Sequence, residues 1–472
     1  MTGMNENPAE LLPEIFVGAS ALVGLLLGAW LPRHRQWPGA ALAVIACTAG
    51  LAAAGVAAAD TPSTVFGGGY AIDAVSSTVR IVVLGGTLAV VLLGRPWFRA
   101  DLRETEFYVL VQLAALGALM LGGAHDLLLL AAAYLLASVP VYTLVGFRKD
   151  RPGTEAALKY YVVGAALGIL LLTGITVLLA AARGTAYPAL AAAFPTAPEG
   201  LVAAGAVGVF AGLTFKAGAV PAHFWVPDAV QGSTPPVAAL ITTLPKIGAL
   251  AAFYRFAAEP LVPSTVPWPE LVAALSVAAM SLGNLAAFFQ TDAKRLLAYS
   301  SISQVGYLLM PIAVAGRADN AQEALLYYLA AYAVTNLGAF AVVCALPQAR
   351  TLDDYRGLLR RRPALALGLV VCLLGLVGTP PTAVFLGKLG IFTAAVDGGF
   401  AWLAVVAAVN TVASLFYYLR WIRPAVSGRP GPATAAVDRS AAVLAYVLAA
   451  ASVALGIAGE PVLDALGGAL GR

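Results

Sequence analysis

Charge is scarce in this 472-residue chain: 11% of its residues are Asp, Glu, Lys or Arg, against 60% hydrophobic. A soluble domain carries roughly 25% charged residues, so a soluble monomer is excluded. Cysteine is scarcer still. Cys47, Cys344 and Cys372 each stand alone inside an apolar run, with no CxxC pair and only three histidines in the whole chain. No disulfide framework, zinc site or iron–sulfur ligand set is written there, and the three thiols read as small core residues. Glycine is plentiful, at 48 residues, but follows no strict triplet, which removes a collagen-like chain. The formal net charge of +4 makes no case for a nucleic-acid partner.

Long apolar runs are what the chain does have. About 20 apolar residues cross the hydrocarbon core as a helix, and such runs fall at 11–31, 38–58, 74–94, 106–123, 126–147, 157–182, 200–220, 235–256, 268–290, 296–315, 322–346, 364–394, 401–421 and 440–459. The pattern predicts an all-α polytopic membrane protein of about fourteen transmembrane helices.

The basic residues alternate with these spans. Loops after odd-numbered helices hold 20 of the 28 Lys and Arg, Arg33, Arg95, Arg148, Lys294, Arg360 and Arg423 among them. Loops after even-numbered helices and the tail hold only Arg183, Arg255, Arg317 and Arg472, and Arg80 begins helix 3. By the positive-inside rule the odd loops lie in the cytoplasm and both termini on the outer face of the membrane; topology alone accounts for the basic loops. The opening MTGMNENPAELLPEIF has Glu6, Glu10 and Glu14 and no positive n-region, so helix 1 is expected to stay rather than leave as a signal peptide.

Three basic residues remain, Lys216, Lys246 and Lys388, and all lie within spans. A charge at the bilayer centre costs about 2.5 to 3.5 kcal/mol on insertion scales and is kept where it faces a bundle interior or water. A lysine so placed stands between its charged and neutral forms, which suits it to taking up and releasing a proton; snorkelling or packing is the plainer alternative. Lys216 sits in GLTFKAGAVPAHFWVPD and Lys388 in GLVGTPPTAVFLGKLGIF. Gly212, Gly218 and Pro221 around the first, and Gly378, Pro380, Pro381, Gly387 and Gly390 around the second, predict helices interrupted in mid-membrane. Interrupted helices occur where backbone is buried in protein or lines water, and a pair in corresponding halves points to an internally repeated transporter. His223, Ser300, Ser301, Gln304 and Tyr307 are candidate relay groups; Thr242, Thr243, Ser303, Tyr332, Thr335, Asn336, Asn410, Ser414 and Tyr417 also place hydroxyls and amides in or beside spans. Ordinary helix–helix hydrogen bonding is the plainer role for any one of them. His223 falls near the end of its predicted helix, where an interfacial place is as fitting as a relay.

The stretch from Gly212 to Arg255, together with DAKRLLAYSSISQVGYLLM, GTPPTAVFLGK and NTVASLFYYLR, resembles the subunit N family of bacterial respiratory complex I. The likeness begins near His125 in HDLLLLAAAYLLASVPVYTLVGFRKD, runs through GTEAALKYYVVGA to Arg423, and is weaker over the first hundred residues. The larger pump subunits and the cation/proton antiporter subunits of the same superfamily match less closely. The resemblance implies an antiporter-like fold with inverted five-helix repeats formed by helices 4 to 8 and 9 to 13, helices 7 and 12 being discontinuous. Its divisions are an N-terminal segment at 1–105, repeats at 106–256 and 257–423, and helix 14 with the tail at 424–472. It further implies a hydrated axis of Lys216, Lys246 and Lys388 that moves protons within an H+-translocating NADH:quinone oxidoreductase. Other membrane-arm subunits, lipid and, through those subunits, the peripheral redox arm are the implied partners. NADH, FMN, iron–sulfur clusters and quinone belong to partner subunits; this chain is expected to hold no cofactor or metal and to do no redox chemistry itself.

The chain departs from the family pattern in two places. The family's helix 5 carries a glutamate nine residues after an aspartate matched here by Asp126, and Leu135 takes its place. Asp126 is no substitute, since nine residues of helix span about 13 Å, and the Tyr134 phenol brings no fixed charge, so Lys216 loses the group that would hold its proton. Gln304 stands where histidine is common in the family. Both changes remove titratable groups. They keep two alternatives open: a non-pumping structural paralogue in the same arm, and a subunit exchanging Na+ for H+.

Overall fold

The computed structural model describes residues 7–58, 61–99, 101–429, 431, 434 and 436–467; Glu6 and Arg472 lie outside the described residues. Among them, thirteen helices are long and apolar enough to cross a membrane: Pro8–Trp30, Pro38–Ala57, Ala74–Phe98, Glu104–Gly123, Leu127–Val145, Arg151–Ala182, Glu199–Ala217, Pro235–Leu261, Trp268–Ala287, Ala293–Ala313, Ala321–Ala345, Ala401–Val426 and Arg439–Ile457. In chain order these are helices 1 to 11, 13 and 14. Helix 12 is the split one, built from Pro363–Val377 and Ala383–Asp397, neither of which reaches the roughly 30 Å of a hydrocarbon core on its own. Helix 7 has a second piece too, Trp225–Gly232, after a gap at 218–224. The all-α polytopic class and both discontinuous helices therefore stand as the sequence predicts.

Two features depart from the predicted pattern. Helix 5 is bent, its α-helical geometry lapsing at Ala137 and Ser138 between Leu127–Leu136 and Val139–Val145. A small antiparallel hairpin joins helices 2 and 3, with β1 (Ser63–Val65) paired to β2 (Tyr70–Ile72). Its strands are too short to produce a legible alternation.

Helix 8 is the hub. Every residue from Pro235 to Phe256 is buried, the polar Thr242, Thr243, Lys246 and Arg255 included. Around it, helices meet through small residues that let backbones approach. A Cβ at Gly248 would lie 2.4 Å from the Ala118 carbonyl oxygen of helix 4, and one at Gly306 of helix 10 would lie 2.4 Å from the Met280 nitrogen of helix 9.

The end of the bundle reached by the even-numbered loops is fastened by buried ion pairs. Arg80 of helix 3 donates from Nε and Nη2 to the two carboxylate oxygens of Glu14 (2.8 and 2.9 Å), and Tyr70 of the hairpin donates to the same carboxylate (2.7 Å). Arg255, at the end of helix 8, donates both arms to Asp73, the N-cap of helix 3, at 2.8 Å each. Forked geometry satisfies both charges at once. Removing one partner strands the other, at a cost of about 3 to 5 kcal/mol. Arg80→Met should accordingly lower the melting temperature of the purified assembly, and Glu14→Gln combined with Arg80→Met should recover part of the loss; thermal unfolding of the two variants checks this.

Candidate functional site: two interrupted helices joined by a polar band

Helix 7 stops at Ala217 in a left-handed glycine turn. Gly218 has φ +74°, its N–H donates to the Phe215 carbonyl (3.0 Å), and the Ala219 N–H donates to Thr214 (2.8 Å). This is the C-terminal closure that glycine favours. Helix 12 stops at Val377 in the same way: Gly378 has φ +90°, its N–H donates to Gly375 (2.8 Å), and the Thr379 N–H donates to Leu374 (3.1 Å). A Pro follows three residues after each glycine, at 221 and 381.

Lysine side chains gather at both stops, at the negative ends of the half-helices, which favour a cation. Lys216 lies in the last turn before Gly218, fully buried. Its Nζ donates to the Ser138 hydroxyl at the bend of helix 5 and sits 5.1 Å from the Tyr134 ring centroid. Ser138 in turn donates to the Tyr134 carbonyl (2.6 Å). Lys246 reaches across from helix 8 into the space a side chain at Gly218 would fill: a Cβ there would lie 2.9 Å from Nζ. That Nζ is buried and has no hydrogen-bond partner among the described residues. Lys388 comes from the second piece of helix 12 and turns back to donate to the Val377 carbonyl (2.9 Å) and to Thr411 of helix 13 (3.0 Å), 4.0 Å from the Tyr307 ring centroid. Among the described residues none of the three lysines takes part in an ion pair.

A band of hydroxyls and amides runs between the two stops. On helix 8, Thr242 and Thr243 accept from Asn336 of helix 11 (3.0 and 2.9 Å), and the Thr242 carbonyl accepts from Tyr332 (2.6 Å). Ser301 of helix 10 donates to the Ala298 carbonyl of its own helix (2.7 Å). One turn on, Gln304 donates to the Leu376 carbonyl (2.8 Å) and accepts from Tyr328. Ser300 and Tyr418 share a hydrogen at 2.5 Å. Tyr307 accepts from Thr411 (3.2 Å), which accepts from Lys388. The predicted relay residues Ser300, Ser301, Gln304 and Tyr307 are thus brought together between helices 8 and 12.

His223 lies inside the interruption of helix 7, half-buried. Leu135 is 48% exposed on the outside of helix 5, and the groups that meet Lys216 are Ser138 and Tyr134. Asp126 is engaged elsewhere, as the cap of helix 5 with the Leu128 and Leu129 amides (2.7 and 3.3 Å) and the Thr185 hydroxyl (2.6 Å). Sequence reasoning singled out neither Ser138 nor Thr411, because a hydroxyl beside an apolar run carries no signal until its neighbours are known. At the odd-loop face a polar cavity of about 940 Å³ surrounds the end of helix 7, lined in part by Lys159, Asp228, Thr234 and Lys294. No group of three or more His, Cys, Asp or Glu placed to hold a metal occurs among the described residues.

Residues 124–414 match the family described as NADH:quinone oxidoreductase/Mrp antiporter, transmembrane. The chain is 53% identical to NADH-quinone oxidoreductase subunit N 1 of Streptomyces griseus, over 98% of both chains. It is 49% identical to NADH-quinone oxidoreductase subunit N of Mycobacterium sp. strain JLS, over 97% of both. A chain in the structure titled respiratory complex I from Thermus thermophilus with bound aureothin superposes with a TM-score of 0.84 at 32% identity, covering 96% of this chain and 99% of that one.

The stop in helix 7 depends on Gly218. Gly218→Ala forces a left-handed backbone on a residue with a Cβ, at about 1 to 2 kcal/mol, and drives that atom against Lys246. Thermal unfolding of the assembly should register the loss, whereas Gly200→Ala, whose Cβ meets nothing within 4 Å, should melt as the native protein does.

Proposed function

The chain belongs to the NADH:quinone oxidoreductase/Mrp antiporter family and, within it, to subunit N of NADH-quinone oxidoreductase; from that premise we propose that it moves protons along the buried Lys216, Lys246 and Lys388 axis, coupled to quinone reduction in partner subunits. It is an antiporter-like, multi-pass subunit of a membrane arm. In the proposed mechanism each lysine gains and loses a proton in turn. The Ser, Thr, Tyr, Asn and Gln side chains between helices 8 and 12 pass it on, and charge in neighbouring subunits sets the order of events. The cofactors NADH, FMN and iron–sulfur clusters would belong to the redox arm. The odd-numbered loops would face the cytoplasm and both termini the outer side, as the basic residues favour. His223, within the interruption of helix 7, would be a further relay group.

The observation that carries this reading is Lys246 Nζ, buried at the stop of helix 7 with no hydrogen-bond partner among the described residues. A group so placed is costly to the fold and is kept for what it does. Lys388→Met should lower the proton-to-electron ratio of membrane vesicles while the complex keeps its native size; an unchanged ratio would discard the role.

A second reading, a non-pumping paralogue in the same arm, draws on the neutral partners of Lys216. It predicts that Lys216→Ala leaves proton stoichiometry as it was, whereas the pumping reading predicts a fall. Exchange of Na+ for H+ would appear instead as Na+-dependent growth at alkaline pH.

A further inference from the structure

The even-loop face holds a titratable cluster apart from the lysine axis. His125, between helices 4 and 5, has both backbone groups in use. Its N–H donates to Gly69 of the hairpin turn (3.0 Å), and its carbonyl accepts from Tyr187 (3.1 Å). The side chain is 2% exposed. Nδ1 lies 2.8 Å from the Gly68 carbonyl oxygen, which only accepts, so that nitrogen carries a hydrogen. Nε2 lies 2.5 Å from Glu259 Oε2. A bare ring nitrogen and a bare carboxylate oxygen would repel at that distance, so a second proton sits between them, on the ring or on the acid.

Counting charge leads to the same place. Asp73 takes both arms of Arg255, and the same guanidinium reaches Glu259 Oε1 at 3.0 Å. Two carboxylates against one guanidinium leave one negative charge, which the shared proton cancels. Asp126 is turned into the amides at the start of helix 5, Tyr187 and Tyr254 bring neutral phenols, and Glu14 is matched by Arg80. We propose that His125 and Glu259 form a binding site for one dissociable proton, and that this proton pins the hairpin turn to the end of helix 8. Glu259, 16% exposed, gives the proton its route to water.

Burial opposes the imidazolium, as does the Arg255 charge. The Glu259 hydrogen bond and charge and the Gly68 carbonyl outweigh them, and the His125 pKa is raised above its ordinary value. A raised folded-state value means that the stabilisation is complete below the ordinary histidine range, near about 6.5, and is lost as pH rises through the raised value.

Hydrogen exchange of segment 63–72 in the assembled membrane complex, from about pH 6 to about pH 9 and corrected for intrinsic rates, tests the site. Protection should fall by up to about tenfold per pH unit between the ordinary histidine value, about 6.5, and the raised one, and level off above it, as release of one proton requires. Glu259→Gln and His125→Gln should each flatten that profile. A flat profile in the native chain, or an unchanged profile in Glu259→Gln, overturns the proposal. If a variant does not assemble, the native profile still decides. Because hairpin exchange is the readout, the outcome is independent of whether the chain translocates protons.

Discussion

A helix that stops inside hydrocarbon leaves carbonyl and amide groups that lipid cannot satisfy. Much of this bundle follows from meeting that need twice, at Ala217 and at Val377. Each stop folds back on a left-handed glycine that returns two amides to the preceding turn, and each presents a negative helix end to the interior. Around the two stops the packing is tight. Helix 8 gives up all contact with lipid to lie against the first, and helix 10 contributes Gln304 to hold Leu376 at the second.

The two stops are alike in backbone and unlike in charge. At the first, the nearest ammonium belongs to another helix, Lys246, while Lys216 turns aside to Ser138. At the second, the ammonium belongs to the same helix, beyond its own gap. The halves have therefore kept the fold of the interruption, which is set by glycine and hydrogen-bond geometry, and have drawn their lysines from different places. A lysine stem is long enough to reach a fixed point from more than one element.

What was legible in the sequence was what operates over short range. Apolar run length marked the fourteen spans, and Gly and Pro around Lys216 and Lys388 marked both interruptions. What was not legible depends on residues far apart in the chain. The Arg80–Glu14 and Arg255–Asp73 pairs join positions 66 and 182 residues apart, and no local pattern announces them. Asp126 invited comparison with a missing carboxylate, yet it serves as a helix cap, a local role that its place before LLLL already suited. Leu135 shows the limit of register: a one-residue step on a helix turns a side chain by about 100°, and here that step separates Tyr134, under the Lys216 ammonium, from the outer surface. His223 was set at a helix end because the run of apolar residues ends there, which conceals that the helix resumes at Trp225.

Lys388 has a further property that follows from counting its hydrogens. An ammonium has three N–H groups, and the structure gives this one two acceptors, the Val377 carbonyl and the Thr411 hydroxyl. The neutral amine keeps two. Loss of a proton therefore removes the hydrogen that bonds to neither acceptor, and the lysine goes on closing the end of the half-helix in either state. Its electrical state and the pattern of its hydrogen bonds are separable: the residue is a hinge pin that stays in place when its charge changes, held less tightly once neutral.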